Sequence, residues 1–215
     1  SSDLGDPGRG HPRSGHGRTP RLRRGRTPRG WRGGKAQGFD AFDAKGELLA
    51  LLEAAGDSLL IAPTGGGKTL AGFLPSLIDL AERGTKPESG PGSGVHTLYL
   101  SPLKALTADI GRNLARPVAD LGLPIRIEDR TGDTRSAARQ RQRTDPPQIL
   151  LTTPESLALM LSYPEAPRIF GSVRRVILDE LHALSESKRG DQLMLGLARL
   201  RSLAPGLIAT GQIGR

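Results

Sequence analysis

The chain has 215 residues, with 31 Lys or Arg against 22 Asp or Glu and a formal charge of +9, enough for one domain with a substantial core and a tail. It has no cysteine and only four histidines, which excludes a disulfide scaffold and a thiolate metal site and argues against zinc. No apolar stretch approaches the roughly 20 residues of a membrane helix, and no basic-then-apolar segment opens the chain, so a cytoplasmic protein without a membrane partner is expected.

The chain opens on Ser1 rather than Met, which suggests a fragment or a processed start. Residues 1–38 hold ten Lys or Arg and two Asp, whereas the remainder holds 21 basic and 20 acidic side chains. The basicity therefore belongs to the tail, and the folded part is nearly neutral. Dominated by Gly, Arg and Pro and lacking Ile and Val, the tail cannot bury enough apolar surface to offset its ordering entropy, so disorder is expected over 1–38. Two readings stand for it: an Arg/Gly-rich arm touching nucleic acid phosphates, or an unselected stretch such as GC-rich DNA translated out of frame.

A folded domain is expected over 39–215. "KGELLALLEAAG" (45–56) has helical leucine spacing and stops on Gly. Strand-like runs follow: "SLLIA" from 58, "HTLYLS" from 96, "PIRIED" from 124, "QILLTT" from 148 and "RRVILDE" from 174. Helix-like segments alternate with them over 68–83, 104–121, 133–144, 155–161 and 191–203, and "GTKPESGPGSG" (84–94) reads as a mobile surface loop. This alternation predicts an α/β fold, a mostly parallel sheet covered by helices on both faces. Right-handed crossovers then bring every strand-to-helix loop to one sheet edge, where the following motifs all fall.

The first motif is "APTGGGKT" (62–69), a Walker A pattern with Ala in place of the first Gly. Beyond Thr64, the glycines Gly65, Gly66 and Gly67 let backbone N–H groups approach phosphates, and the helix starting near Lys68 adds its positive end. Lys68 is read as reaching the β- and γ-phosphates and Thr69 as a Mg²⁺ ligand. The bland alternative, a glycine-rich βα turn, does not account for GKT between a strand and a helix. In "VILDELHAL" (176–184) a β-branched strand ends in two acids: Asp179 is placed to hold Mg²⁺ through water, and Glu180 to polarise the attacking water. A surface turn would need only one acid.

These two motifs resemble the DExH-box branch of superfamily 2 helicases. The blocks at 101–114, 126–161 and 178–207 are similar to Lhr-type (large helicase-related) proteins, and among these to the bacterial ligase-associated DExH-box helicase of DNA repair. The resemblance covers roughly 45–211 and implies a RecA-like P-loop NTPase domain, the first of two in the family, using ATP and Mg²⁺. It implies 3′-to-5′ movement on single-stranded or partly duplex DNA, with DNA ligase or other repair partners; an RNA substrate stays open, since nothing in the residues reads a 2′-hydroxyl.

By the same resemblance Ser101, Pro102, Leu103 and Lys104 form motif Ia on the nucleic acid backbone. Thr131 and Gly132, followed by Asp133, match a strand-contacting motif, and Thr153, Pro154 and Glu155 match motif Ib. Hydroxyls and N–H groups at helix starts are natural phosphate ligands, yet "TTPES" is also an ordinary helix start and "RTGDT" a simple turn. His182 couples the two sites in the family, or serves as a turn residue here. "DTRSAARQRQR" (133–143) reads as a solvated helix face before a second DNA surface.

Both ends depart from the family. The adenine-reading Gln upstream of Walker A has no counterpart, since Lys45 occupies that neighbourhood and Gln37 lies too far back. After "LAPGL" the chain reads "IATGQIGR" where the family continues through a strand into Ser-Ala-Thr and a second domain bearing arginine fingers. A truncated or frameshifted helicase is therefore expected, one that alone binds MgATP weakly, hydrolyses it slowly and unwinds nothing, or that serves only as a catalytically silent nucleotide- and DNA-binding module.

Overall fold

A computed structural model describes residues 56–62, 67–82, 94–120, 122–184 and 187–214. The tail at 1–38, the helix expected over 45–56 apart from its final Gly, and nearly all of the loop at 84–94 lie outside them, as do Thr64, Gly65 and Gly66. In chain order the elements are β1 (Ser58–Ala62), α1 (Lys68–Glu82), β2 (Thr97–Leu100), α2 (Lys104–Asp120), β3 (Ile127–Arg130), α3 (Ser136–Thr144) and β4 (Ile149–Thr152). They continue with α4 (Pro154–Leu161), α5 (Ala166–Phe170), β5 (Arg175–Leu178), α6 (Leu181–Leu184), α7 (Lys188–Leu203) and β6 (Ile208–Gly214).

All six strands are parallel, in the order β1-β6-β5-β2-β4-β3. The carboxyl ends of the strands therefore share one edge, as the alternation of runs predicts. Central strands read as continuous apolar runs because both faces are covered. Leu98, Leu100, Leu150, Val176 and Leu178 face the core shared with α4, α5 and α7. Their neighbours Tyr99, Ile149, Leu151 and Ile177 face the opposite core, with Phe73 and Leu77 of α1 and Ile110, Leu114 and Val118 of α2. The period of two is thus preserved, with apolar residues at both phases.

The structure departs from the sequence reading at several boundaries. β3 ends on Arg130 rather than at residue 129, and α3 starts at Ser136 rather than 133 because the preceding residues close a turn. There the Thr131 N–H donates to Thr134 Oγ1 (2.8 Å) and the Asp133 N–H to Thr131 Oγ1 (3.3 Å). The short helices α5 and α6 carry too few residues for a periodic signal. β6 is the largest departure: the family pattern is lost after Gly211, yet the strand runs to Gly214 and inserts between β1 and β5. Asp57 ties this corner together, its carboxylate accepting from the Ala209 N–H (2.9 Å) and from Arg201.

The start of α7 is sterically closed. Ser187 caps it, accepting from the Gly190 N–H (3.1 Å) and donating to the Leu184 carbonyl (2.9 Å). A Cβ at Gly190 would collide with that same Leu184 carbonyl, which is backbone and cannot swing aside. Gly190→Ala is therefore expected to destabilise the chain by about 2–3 kcal/mol, read as a lower urea midpoint at unchanged m-value. An unchanged midpoint would show that α7 starts elsewhere.

Candidate nucleotide site and nucleic-acid edge

β5 supplies three buried β-sheet residues, Val176, Ile177 and Leu178, and then leaves the sheet at Asp179 and Glu180. The Asp179 N–H still donates to the Leu100 carbonyl (2.8 Å), so the acid is held in register with the end of β2. The residue is 7% exposed, and its carboxylate accepts a short hydrogen bond from the Tyr99 hydroxyl. Burial first, and the Asp179 charge second, push the Tyr99 phenol well above its ordinary range, so it stays a donor. Tyr99 is wholly buried and stacks on Phe73 of α1, with ring centroids 5.4 Å apart. A buried tyrosine thereby fixes the acid's orientation, a contact that sequence reasoning missed.

Glu180 has φ 47°, the one positive value outside glycine among the described residues. That left-handed turn breaks the strand direction and stores strain of about 1–3 kcal/mol, a cost that concentrates at functional sites. Its Oε2 lies 3.3 Å from His182 Nδ1, and its carbonyl accepts from the Ala183 N–H (2.8 Å). The two acids are thus separated in environment: Asp179 is enclosed, whereas the Glu180 side chain is 32% exposed and borders an open histidine.

On the neighbouring side, Gly67 has φ 77° and its carbonyl accepts from the Ala71 N–H (2.9 Å), closing the first turn of α1. Lys68 and Thr69 are the opening residues of that helix, and the positive end of a helix dipole favours anions. β6 links this helix to the acids: Gln212 Nε2 donates to the Lys68 carbonyl (3.0 Å). Among the described residues no group of three or more His, Cys, Asp and Glu could hold a metal. Magnesium suits such a place, since it is commonly held by one or two carboxylates with water and phosphate completing its shell. Asp179, enclosed and oriented by the Tyr99 hydroxyl, fits that chemistry.

The other loops reach the same edge. Lys104 Nζ sits 3.1 Å from Asp133 Oδ1, bridging the loops after β2 and β3 across Gly132. Arg189 Nε lies 2.6 Å from Glu155 Oε1, joining the start of α4 to that of α7. Both pairs are exposed and contribute at most about 1 kcal/mol. Of the residues read as nucleic-acid contacts, Leu103, Lys104, Gly132 and Glu155 are exposed and Pro102 half-buried. Ser101, Thr131, Thr153 and Pro154 are buried. Their hydroxyls close local structure: Ser101 Oγ accepts from the Leu103 N–H (3.3 Å), and Thr153 caps α4 by accepting from the Ser156 N–H (3.4 Å). Three of the four arginines of 133–143 are engaged within the domain, Arg139 with the Thr134 carbonyl, Arg141 with Glu128 and Arg143 with Glu165. That pattern fits a solvated helix face.

A family model for the DEAD/DEAH box helicase matches residues 45–211. The chain belongs to this family. Within it, the helicase domain is 43% identical over 167 residues to the ATP-dependent helicase Lhr-Core protein 2 of Thermococcus barophilus, covering 73% of this chain and 19% of that protein. It is 42% identical over 170 residues to the Lhr helicase/probable uracil glycosylase of Mycolicibacterium smegmatis, covering 74% of this chain and 11% of the relative. The chain thus spans less than a fifth of these relatives' length. A solved structure of the Mycobacterium smegmatis helicase Lhr bound to ssDNA and AMP-PNP matches with TM-score 0.67 at 39% identity, over 79% of this chain and 22% of that one. The DEAD-box helicase Mss116 shares the fold at TM-score 0.68 and 20% identity, over 78% and 34% of the two chains. The RecA-like fold expected from the sequence is the one observed. No helix among the described residues is long and apolar enough to cross a membrane.

Proposed function

We propose that the chain is the ATP-binding domain of a DNA-directed, ATP-driven helicase or translocase of the Lhr type. The observation that carries this is the pairing at one sheet edge of an enclosed acid, Asp179, with a strained, half-open acid, Glu180, beside the phosphate-binding start of α1. In this reading Thr64, Gly65, Gly66, Gly67 and Lys68 hold the phosphates, and Thr69 and Asp179 hold Mg²⁺. The cation, when bound, neutralises charge developing on the transferred phosphoryl group. Glu180 accepts the proton of the attacking water, and His182, against its carboxylate, relays the state of that site toward the nucleic-acid edge.

Nucleic acid crosses the loops at 101–104, 131–133 and 153–155. Lys104 and exposed backbone groups contact phosphates, while the buried Ser101, Thr131 and Thr153 shape the loops that present them. The Lhr relative solved bound to ssDNA supports a DNA substrate. The reading extends to 3′-to-5′ movement and to repair alongside a DNA ligase, on the likeness of the blocks at 101–114, 126–161 and 178–207.

The test is ATP hydrolysis by the complete protein with and without ssDNA or ssRNA of equal length. Several-fold stimulation by ssDNA, falling steeply with salt because phosphate contacts release counterions, is the expected result. Equal stimulation by RNA would replace the substrate, and none by either would favour a silent binding module.

A further inference from the structure

Gln212 has no place in the motifs above, yet it is wholly buried against the start of α1. β6 pairs with β1 at Leu60↔Gln212 and with β5 at Leu178↔Gly211. One step past the end of β5, Asp179 therefore lies alongside Gln212, and the period of two puts both on the face that carries Ile177. A Cβ built on Gly72 would overlap Gln212 Nε2 and come within 3.5 Å of Ile177 Cγ2, so the amide lies under the first turns of α1. Nε2 donates to the Lys68 carbonyl (3.0 Å), whereas Oε1 is buried with no hydrogen-bond partner.

An amide carbonyl enclosed without a donor is costly, and an apolar side chain of the same length would avoid that cost. We propose that Gln212 is a positioning residue of the nucleotide site. Its Nε2 fixes the first carbonyl of the phosphate-binding helix to the sheet, and its Oε1 is held for a donor that arrives with the magnesium–nucleotide complex. Gly72 belongs to the same device, because any side chain there would take the amide's place. The inference rests on the reading of Lys68, Thr69 and Asp179 as the nucleotide site.

The experiment compares the intact chain with Gln212→Leu and Gln212→Met, measuring affinity for mant-ATP with Mg²⁺ and the Tm without nucleotide. Both variants should bind about tenfold more weakly while their Tm stays equal to the parent's or rises, since an unpartnered acceptor is removed. Should the branched leucine fail to fold, the unbranched methionine variant gives the reading. Parent-like affinity in a folded variant overturns the proposal, as does a parallel fall of affinity and Tm, the mark of a scaffold residue. Failure of the parent itself to bind mant-ATP would instead overturn the nucleotide-site reading.

Discussion

Glu180→Gln in the complete helicase is expected to cut steady-state ATP turnover by about 10²–10⁴-fold, the usual contribution of a positioned general base, while nucleotide binding stays near the parent level. Glutamine keeps the length and shape of the side chain, so the φ 47° turn and the contact to the segment at His182 are not forced to change. Only the proton-accepting charge is lost. Asp179→Asn makes the complementary test: that acid is buried and held by Tyr99, and its loss should weaken MgATP binding itself. Single-turnover hydrolysis beside equilibrium binding of mant-ATP separates the two roles. Undiminished turnover in Glu180→Gln would sink the assignment of the base.

Arg130→Ala is expected to lower the stability of the chain by on the order of 3 kcal/mol, from the loss of hydrogen bonds made by a charged donor and of packed volume. The guanidinium is 4% exposed at the end of β3. Nη1 donates to the Arg139 carbonyl (2.8 Å) and Gln142 Oε1 (3.3 Å), and Nη2 donates to the Tyr163 hydroxyl (3.2 Å). Burial lowers its pKa, yet a guanidinium remains charged, so the fork must keep all three acceptors to stay where it is. Removing it leaves α3 held by Gln142, by Arg168 donating to the Arg143 and Thr144 carbonyls, and by ion pairs at the surface. Arg130→Lys should fail to rescue, because a single ammonium cannot span acceptors on both α3 and Tyr163, whereas Arg130→Met should recover part of the loss by filling the space. Urea unfolding decides: a midpoint within error of the parent for Arg130→Ala would show that α3 is anchored elsewhere.

The candidate site was read from residue types in order. An apolar strand followed by glycines and Lys-Thr, and a β-branched strand followed by two acids, are local signals, each carried by a few adjacent residues whose conformational preferences do not depend on the rest of the chain. The alternation of strands and helices likewise forces a covered parallel sheet, because parallel strands need crossovers that bury both faces. Strand order and side-chain partnership were decided only in the tertiary structure. Tyr99 meets Asp179 across 80 residues, and Gln212 meets Lys68 across 144; both contacts depend on β6 and β2 lying on either side of β5. Arg130 carries no motif in the sequence, and its burial depends on where α3 and Tyr163 settle. Ser101, Thr131 and Thr153 show the same limit at smaller scale: a hydroxyl beside a helix start suits a phosphate or a cap equally in sequence, and packing turned all three inward. Local chemistry thus announces what a residue is able to bind, while the non-local fit of strands and helices determines which atoms come within reach of it.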